Sequence, residues 1–314
     1  MTLRLVIDVP NIFWRTVSAQ SGKWSGTTEE NAALALHSCL ITTRKWFNKV
    51  NPDQIITVFE GQKNWRKAYT ASDQAVAKTP YKGNRVKDPA MDHLYKTLND
   101  FEALAREHTS IVCLSAPEVE GDDLIAGCVQ KFSKMGDEVV ILSGDKDFVQ
   151  LLKYPGVSLL NPDKGVLRTH EDPEYFMFEK AFRGDAGDNV RSAFPRVRST
   201  RLVKAYNDPY ELTLIMNEEW SVTDPETKEV TTFIVKDLFE ENQLLMNLER
   251  QPDHIKTIIN ETVEYGLNNH GKFNLFAFQQ FLGKHELKTI SAEADKFIKM
   301  LNCQPIKKSS VLSF

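Results

Sequence analysis

The sequence predicts an α/β protein, with a parallel-sheet domain over residues 1–175 and a mainly helical domain over residues 176–314. Three observations carry that prediction. Short apolar runs (LRLVI, IITVF, IVCL, VVILS) alternate with helix-length segments through the first half, as in βαβ units. After about residue 175 strand-like runs become rare and helical periodicity dominates. Acidic residues stand just past the first four strands, and in a parallel sheet such positions gather in one crevice.

The elements follow in order. The first strand ends at Asp8. Thr27-x-x-Glu30 has the form of a capping box and opens a helix through about Asn48. Ala32, Leu36, Cys39, Leu40 and Phe47 form its apolar stripe. A second strand runs up to Glu60. The next helix spans Met91–His108, with Leu94, Leu98, Phe101 and Leu104 on one side. The strand IVCL precedes Glu120, and a helix from Asp122 to Met135 stops at Gly136. The strand VVILS precedes Asp145, and further short strands are expected at Val157–Leu160 and Val166–Thr169. In the second half, helices are expected over Tyr210–Met216, Thr257–Tyr265 and Leu275–Leu282, with a hairpin or loop over Trp220–Val235.

With 314 residues, 41% hydrophobic and 26% charged, the composition is that of a soluble globular protein of two domains or one large one. No apolar run approaches the roughly 18–20 residues of a membrane span. The opening MTLRLVIDVP reads as a strand and not as a secretory signal. Cys39, Cys113, Cys128 and Cys303 are scattered, which suggests neither zinc nor disulfides and fits a reducing cytoplasm, that of a host if the chain is phage-encoded.

Five acidic clusters stand out: Asp8; Glu60; Glu120 with Asp122 and Asp123; Asp145 with Asp147; Asp185 with Asp188. Crowded carboxylates raise one another's pKa, so bound divalent cations are the expected compensation. Oxygen ligands favour magnesium or manganese. Three acids in VEGDD exceed what a helix N-terminus needs. Asp145 and Asp147, read as an extended segment, would share a side and bridge one ion, whereas an Asx turn would separate them. The net charge of −4 hides two basic segments. Between Lys63 and Lys87 lie seven Lys or Arg residues and one acid, interleaved with Trp65, Tyr69 and Tyr81. Arg183, Arg191, Arg196, Arg198, Arg201 and Lys204 form the second. Local cationic surfaces beside carboxylates suit a polyanion whose phosphate is delivered to metals.

Four motifs occur in order. VEGDD resembles an E-x-D-D motif, SGDKDF a D-x-D motif, RGDAGDN a G-D-x-x-D-N motif, and YKGNR the basic stretch that leads into a helical arch. Together they resemble the 5′-nuclease family of flap endonucleases and 5′-to-3′ exonucleases, over residues 1 to about 205. The later chain resembles the ribonuclease H of T-even-type phages. The resemblance implies a PIN-like nuclease domain with a helical arch, then a helical domain with a helix–three-turn–helix.

It also implies two magnesium ions, with manganese as a substitute. Asp8, Glu60, Glu120, Asp122, Asp123 and Asp145 would surround the first; Asp147, Asp185 and Asp188 would hold the second. Lys82 and Arg85 would be the catalytic cations on the scissile phosphate, with Tyr81 stacking beside them. Trp65, Arg66, Arg191, Arg196, Arg198, Arg201 and Lys204 would contact nucleic acid. Three departures matter. Glu60 stands where relatives have Asp; SAFPRVRST lacks a glycine hairpin, which leaves a monovalent-cation site in question; and Gln62–Thr79 is longer than in some phage relatives.

The implied activity is structure-selective removal of RNA primers and 5′ flaps in DNA replication. The implied partners are DNA and RNA–DNA hybrids with a 5′ flap or end, together with a single-strand-binding protein and a sliding clamp. The tail Gln304–Phe314 is a candidate clamp peptide, and a monomer is expected. The alternative is a nuclease-like DNA-binding replication factor with impaired catalysis. A phosphatase of the Asp-x-Asp type is disfavoured, because Val9-Pro10 follows Asp8.

Overall fold

The computed structural model describes residues 1–20, 28–85, 91–168, 172–223 and 228–304. Thr27 of the expected capping box, Lys87, Thr169 and the tail 305–314 lie outside the described residues.

β1 (Leu3–Asp8) is buried along its last five positions, as a central strand covered on both faces must be. The chain turns directly into α1 (Val9–Gln20), which the sequence reading did not anticipate. Pro10 sits in its first turn, where a missing N–H breaks no helical bond. α2 (Thr28–Val50) turns its expected stripe of Ala32, Leu36, Cys39, Leu40 and Phe47 inward. β2 (Gln54–Val58) is buried throughout. α3 (Trp65–Thr70) starts at Asn64, whose side chain accepts the Arg66 N–H, a cap that the polar-aromatic sequence concealed. α4 (Asp92–His108) buries Leu94, Leu98, Phe101 and Leu104. β3 (Val112–Leu114), α5 (Gly121–Lys134), β4 (Glu138–Leu142) and β5 (Val157–Leu160) follow. The strand expected at Val166–Thr169 is the two-residue β6 (Leu167–Arg168).

The first five strands are parallel and β6 runs antiparallel to β5, in the order β3-β2-β1-β4-β5-β6. The order reverses between β1 and β4. In an open α/β sheet a ligand binds beyond the carboxyl ends at that switch point.

α6 (Pro173–Arg183) and α8 (Pro209–Met216) both open on Asp-Pro. Asp172 accepts the Tyr175 N–H and Asp208 that of Tyr210, while proline presets the first turn. α7 (Ser199–Asn207) lies between them in sequence. β7 (Glu219–Thr223) and β8 (Val230–Ile234) pair as an antiparallel hairpin, the first of the two forms expected there. α9 (Val235–Met246), α10 (Asp253–Asn268), α11 (Leu275–Lys284), α12 (Lys288–Ser291) and α13 (Ile298–Leu301) complete the described chain.

The molecule forms two compact units that are discontinuous in sequence, whereas the sequence reading draws one boundary near residue 175. The first unit comprises residues 1–62, 87–169 and 256–314; the second comprises 63–86 and 170–255. The last helices belong to the first unit because their apolar side chains complete its core. Phe278, Phe281, Leu282, Phe297 and Leu301 are buried with the α2 and α4 stripes. At about 2 kcal/mol per buried side chain, those five contribute on the order of 10 kcal/mol. The second unit has its own core, in which Phe182 of α6 and Phe239 of α9 pack at 4.6 Å between ring centroids.

Candidate active site

In the first unit, four strands deliver their acids to one edge of the sheet. Asp8 is the last residue of β1. Glu60 follows β2, and the chain after it runs so close to Ala116 and Val119 that Gly61 has no room for a side chain. Glu120 is the N-cap residue of α5 but makes no side-chain capping bond, so its carboxylate is spared that structural duty. Asp122 and Asp123 stand in the first turn of α5. Adjacent helical residues do not face the same way. Asp122 stands among the other acids, and Asp123 is fully buried one position on.

Asp145 and Asp147 are not an extended pair. Asp145 Oδ1 accepts the Asp147 N–H at 2.8 Å, and Asp147 opens a 3₁₀ turn over Asp147–Lys153. The i, i+2 spacing had two readings, and the local Asx bond prevails because it satisfies an amide that a helix start leaves unpaired.

Two residues missed by sequence reasoning hold this edge together. Ser143 Oγ donates to Asp8 Oδ2 at 2.7 Å and accepts the Asp145 N–H at 3.0 Å. Asn11 donates its N–H to Asp8 Oδ1 at 3.1 Å, and its side chain accepts the Gly144 N–H at 2.9 Å. The signal was a polar residue between a strand and its acid, in LSGD. Glu60 Oε2 accepts the Gly121 N–H at 3.1 Å, so its longer arm reaches the start of α5.

Burial dominates the electrostatics of these acids, and their mutual repulsion adds to it. Burial pushes Asp8 up to about 7, with Glu60 and Asp145 adding to it, against the bonds from Ser143 and Asn11. Burial, then the charges of Asp145, Asp8, Glu60 and Glu120, push Asp122 well above the usual carboxylate range. They do not converge on a point: among the described residues no three His, Cys, Asp or Glu side chains are placed to hold an ion between them.

The second unit gathers a different set. Asp188 Oδ2 accepts the Tyr81 hydroxyl at 2.8 Å and Oδ1 accepts Arg85 Nη2 at 2.7 Å. Its carbonyl accepts the Lys82 N–H at 2.8 Å. Asn189 Nδ2 donates to Pro80 O at 2.8 Å, and Asn84 Nδ2 to Ala186 O at 2.9 Å. Segments 80–85 and 185–190 therefore form one joined platform, in which the cations Lys82 and Arg85 stand beside the acids Asp185 and Asp188. Asp185 is held differently. Burial opposes its ionisation, but the Lys180 ammonium at 3.1 Å and the N–H groups of Gly187 and Asp188 outweigh this and lower its pKa.

Of the two glycines in RGDAGDN, only Gly184 needs to be one. Its φ of 70° with ψ of −167° is a glycine conformation, and a Cβ there would meet the backbone of Val190 and Arg191. Gly184→Ala is expected to cost about 3 kcal/mol, read by urea denaturation, because strain and a backbone clash add.

Three expected nucleic-acid contacts are corrected. Trp65, Arg66 and Tyr81 are buried, 6%, 2% and 5% exposed. The Arg66 guanidinium lies 4.4 Å from the Trp65 ring and donates to Leu245 O at 2.6 Å. Tyr81 packs in the core of the second unit. Their residue types suit a nucleic-acid surface, but α3 turns Trp65 and Arg66 inward, and the turn at residues 81–84 buries Tyr81. In the second basic segment Arg196 and Arg198 are exposed, whereas Arg201 pairs with Glu218 and Lys204 with Glu211. Arg191 lies over the Phe233 ring at 5.3 Å. Arg196 has φ 61° and follows Pro195 in a turn closed by Val197 N–H to Phe194 O. It adopts the left-handed conformation that glycine usually fills in such a turn.

Comparison with known proteins gives three findings. The family model of the N-terminal resolvase-like domain of 5′-3′ exonucleases matches residues 4–183. A 5′-3′ exonuclease of Buchnera aphidicola subsp. Schizaphis graminum is 30% identical over 174 residues, covering 52% of this chain and 56% of that protein. Ribonuclease H of Enterobacteria phage T4 is 30% identical over 197 residues, covering 60% and 62%. The chain thus spans about three fifths of the length of these relatives. Among solved structures, the T5 D15 protein co-crystallised with metal ions superposes with a TM-score of 0.52 at 17% identity, over 92% of this chain and 98% of that one. At that identity the likeness is one of fold.

Proposed function

The chain belongs to the 5′-3′ exonuclease family, and from that premise we propose that it is a metal-dependent 5′ nuclease. It hydrolyses phosphodiester bonds near the 5′ ends of branched or nicked DNA and of RNA paired to DNA. The supporting observation is the row of acids beyond β1–β4 at the switch point, where Asp8 and Asp122 resist ionisation because they are buried and, secondarily, because the other acids are near.

The donor set fits a hard divalent cation, since every candidate ligand is a carboxylate oxygen. Asp8, Glu60, Glu120, Asp122, Asp123 and Asp145 would hold one magnesium in the first unit, and Asp147 of that unit and Asp185 and Asp188 of the second are the further candidate ligands. Asp188 gives its oxygens to Tyr81 and Arg85, so the acids of the first unit carry more of the assignment. When bound, two such ions supply an activated water and stabilise the leaving oxygen. The T5 D15 protein, which shares the fold, was crystallised with metal ions.

The remaining roles belong to side chains. Lys82 and Arg85 neutralise charge gained by the phosphate, and the Asp188 bond fixes Arg85 in advance, so no reorganisation is needed during reaction. Arg196 and Arg198 contact backbone phosphates, which hold a duplex without reading its sequence. The role in this reading is primer and flap removal in replication, and the presence of a ribonuclease H and a 5′-3′ exonuclease among the relatives supports it. A monomer working beside a single-strand-binding protein and a sliding clamp completes the proposal.

Matched 5′-labelled flap, nicked and RNA–DNA hybrid substrates test it. Short 5′ products are expected with magnesium or manganese and none with EDTA. Tight binding without cleavage in either metal would overturn the nuclease reading and select the DNA-binding factor.

A further inference from the structure

Two consecutive side chains of α9 take no part in the chemistry above, yet each holds one side of the platform that joins segments 80–85 and 185–190. Glu241 is buried, and its Oε1 accepts the Val76 N–H at 2.6 Å while Oε2 accepts the Ala77 N–H at 2.9 Å. The Tyr69 hydroxyl bonds to the same carboxylate. Asn242 is also buried, and its Nδ2 donates to Ala181 O at 2.8 Å and Arg191 O at 2.9 Å. Those two carbonyls bracket the loop that carries Asp185 and Asp188.

Residues 71–85 contain neither helix nor strand, so no regular ladder fixes the path to Lys82 and Arg85. Lys78 and Lys82 have φ of 48° and 54°, a conformation a side chain adopts only when its surroundings impose it. Bonds from outside the segment hold it at several points. Glu241 holds residues 76 and 77, Thr70 Oγ1 accepts the Tyr81 N–H at 3.1 Å, and Asp188 and Asn189 hold residues 80–85. Successive helical residues point about 100° apart. A neighbouring pair on one helix can therefore grip two separate segments and set their spacing.

We propose that Glu241, with Asn242, is a positioning pair: it fixes the Tyr81–Arg85 segment against the Asp185–Asp188 loop and thereby sets the cleavage rate. The inference rests on the nuclease reading for its catalytic consequence. A carboxylate is the side chain suited to this task, because it offers two acceptors and no donor to two adjacent amides. Glutamine has the same shape but turns an NH₂ toward one of them.

Glu241→Gln is the test, in the full chain. Its kcat on a 5′-labelled flap should fall at least about tenfold with KM within about twofold, as when an interaction made only in the transition state is lost. Amide hydrogen exchange should quicken at Val76 and Ala77 and also at Lys82, whose N–H bonds to Asp188 O. Ile215→Ala, a core variant of the same unit, should lose as much thermal stability yet keep kcat and slow Lys82 exchange. Faster exchange at Val76 and Ala77 with none at Lys82 overturns the proposal, as does an equal loss of kcat in both variants. If the unsubstituted chain cleaves no 5′-ended substrate, the nuclease reading falls, and exchange at Lys82 still decides the positioning claim.

Discussion

Asp145→Ala is expected to abolish divalent-cation-dependent cleavage of 5′-labelled flaps while duplex affinity stays within about threefold. Losing a hydrogen-bond partner of a metal ligand typically costs 10–100-fold. Losing a ligand carboxylate should cost more than about 100-fold in initial rate. Asp145 does two things at once, because its charge acts on Asp8 and Asp122 and its Oδ1 caps the 3₁₀ turn at Asp147. Asp145→Asn separates them: the amide oxygen still accepts the Asp147 N–H, but the charge is gone. Both variants should be inactive, with Asp145→Asn melting at or above the unsubstituted protein. Asp147→Asn should likewise be inactive. Binding should survive in all three because the exposed cations Arg196 and Arg198 are untouched. Fluorescence anisotropy on a flap duplex in EDTA measures that half. Retained turnover in a clean preparation of Asp145→Asn would remove Asp145 from the ligand set.

The fold and the acid edge were largely legible because both are written in local patterns. Each parallel strand is a short apolar run, and an acid follows the first four, directly at Asp8 and Glu60 and a few residues on at Glu120 and Asp145, so sheet topology turns sequence order into spatial neighbourhood. What was illegible depends on tertiary contacts. α1 starts without an interval after β1, so no loop marks its beginning. The Asx turn at Asp145 and an extended pair share one sequence, and only the bond to the Asp147 N–H separates them. Trp65, Arg66 and Tyr81 have the composition of a nucleic-acid surface, but composition does not say which side chains of a short helix and the turn after it point inward. The last helices have an ordinary amphipathic pattern, and nothing in it tells that the core they complete begins at β1. Ser143 was legible in principle, since a hydroxyl beside a strand-end acid is well placed to hold a carboxylate.

Asp8→Asn should raise the stability of the cation-free protein near neutral pH, against the usual sign for a substitution at a buried site. The Asp8 carboxyl has its ordinary pKa near 3.8 in the unfolded chain and about 7 in the folded one. The folded state therefore binds more protons between those values, and stability contributed by this group is fully present below the lower one and lost as pH rises toward 7. Across pH 5 to 7.5 the loss is roughly 2–3 kcal/mol. Three acids act on Asp8, Glu60 after β2, Asp145 after β4 and Asp122 on α5, with the Cys39 thiol of α2 also nearby and the Arg15 guanidinium packed against Gly144. Repulsion among them acts in the same direction. Asparagine keeps an oxygen for the Asn11 N–H and offers an NH₂ to Ser143 Oγ, so the substitution removes the charge with little loss of bonding. Melting in EDTA should show a Tm that falls from pH 5 to 7.5 in the unsubstituted protein and much less in Asp8→Asn. At pH 7.5 the variant should melt higher by about 3–5 °C. Adding magnesium should reverse the order, because a bound cation stabilises the folded state only where its ligands remain charged. A cation-free Tm of Asp8→Asn that tracks the unsubstituted protein across this range would mean that Asp8 titrates normally, and the acid edge would then lose its electrostatic case for holding a metal.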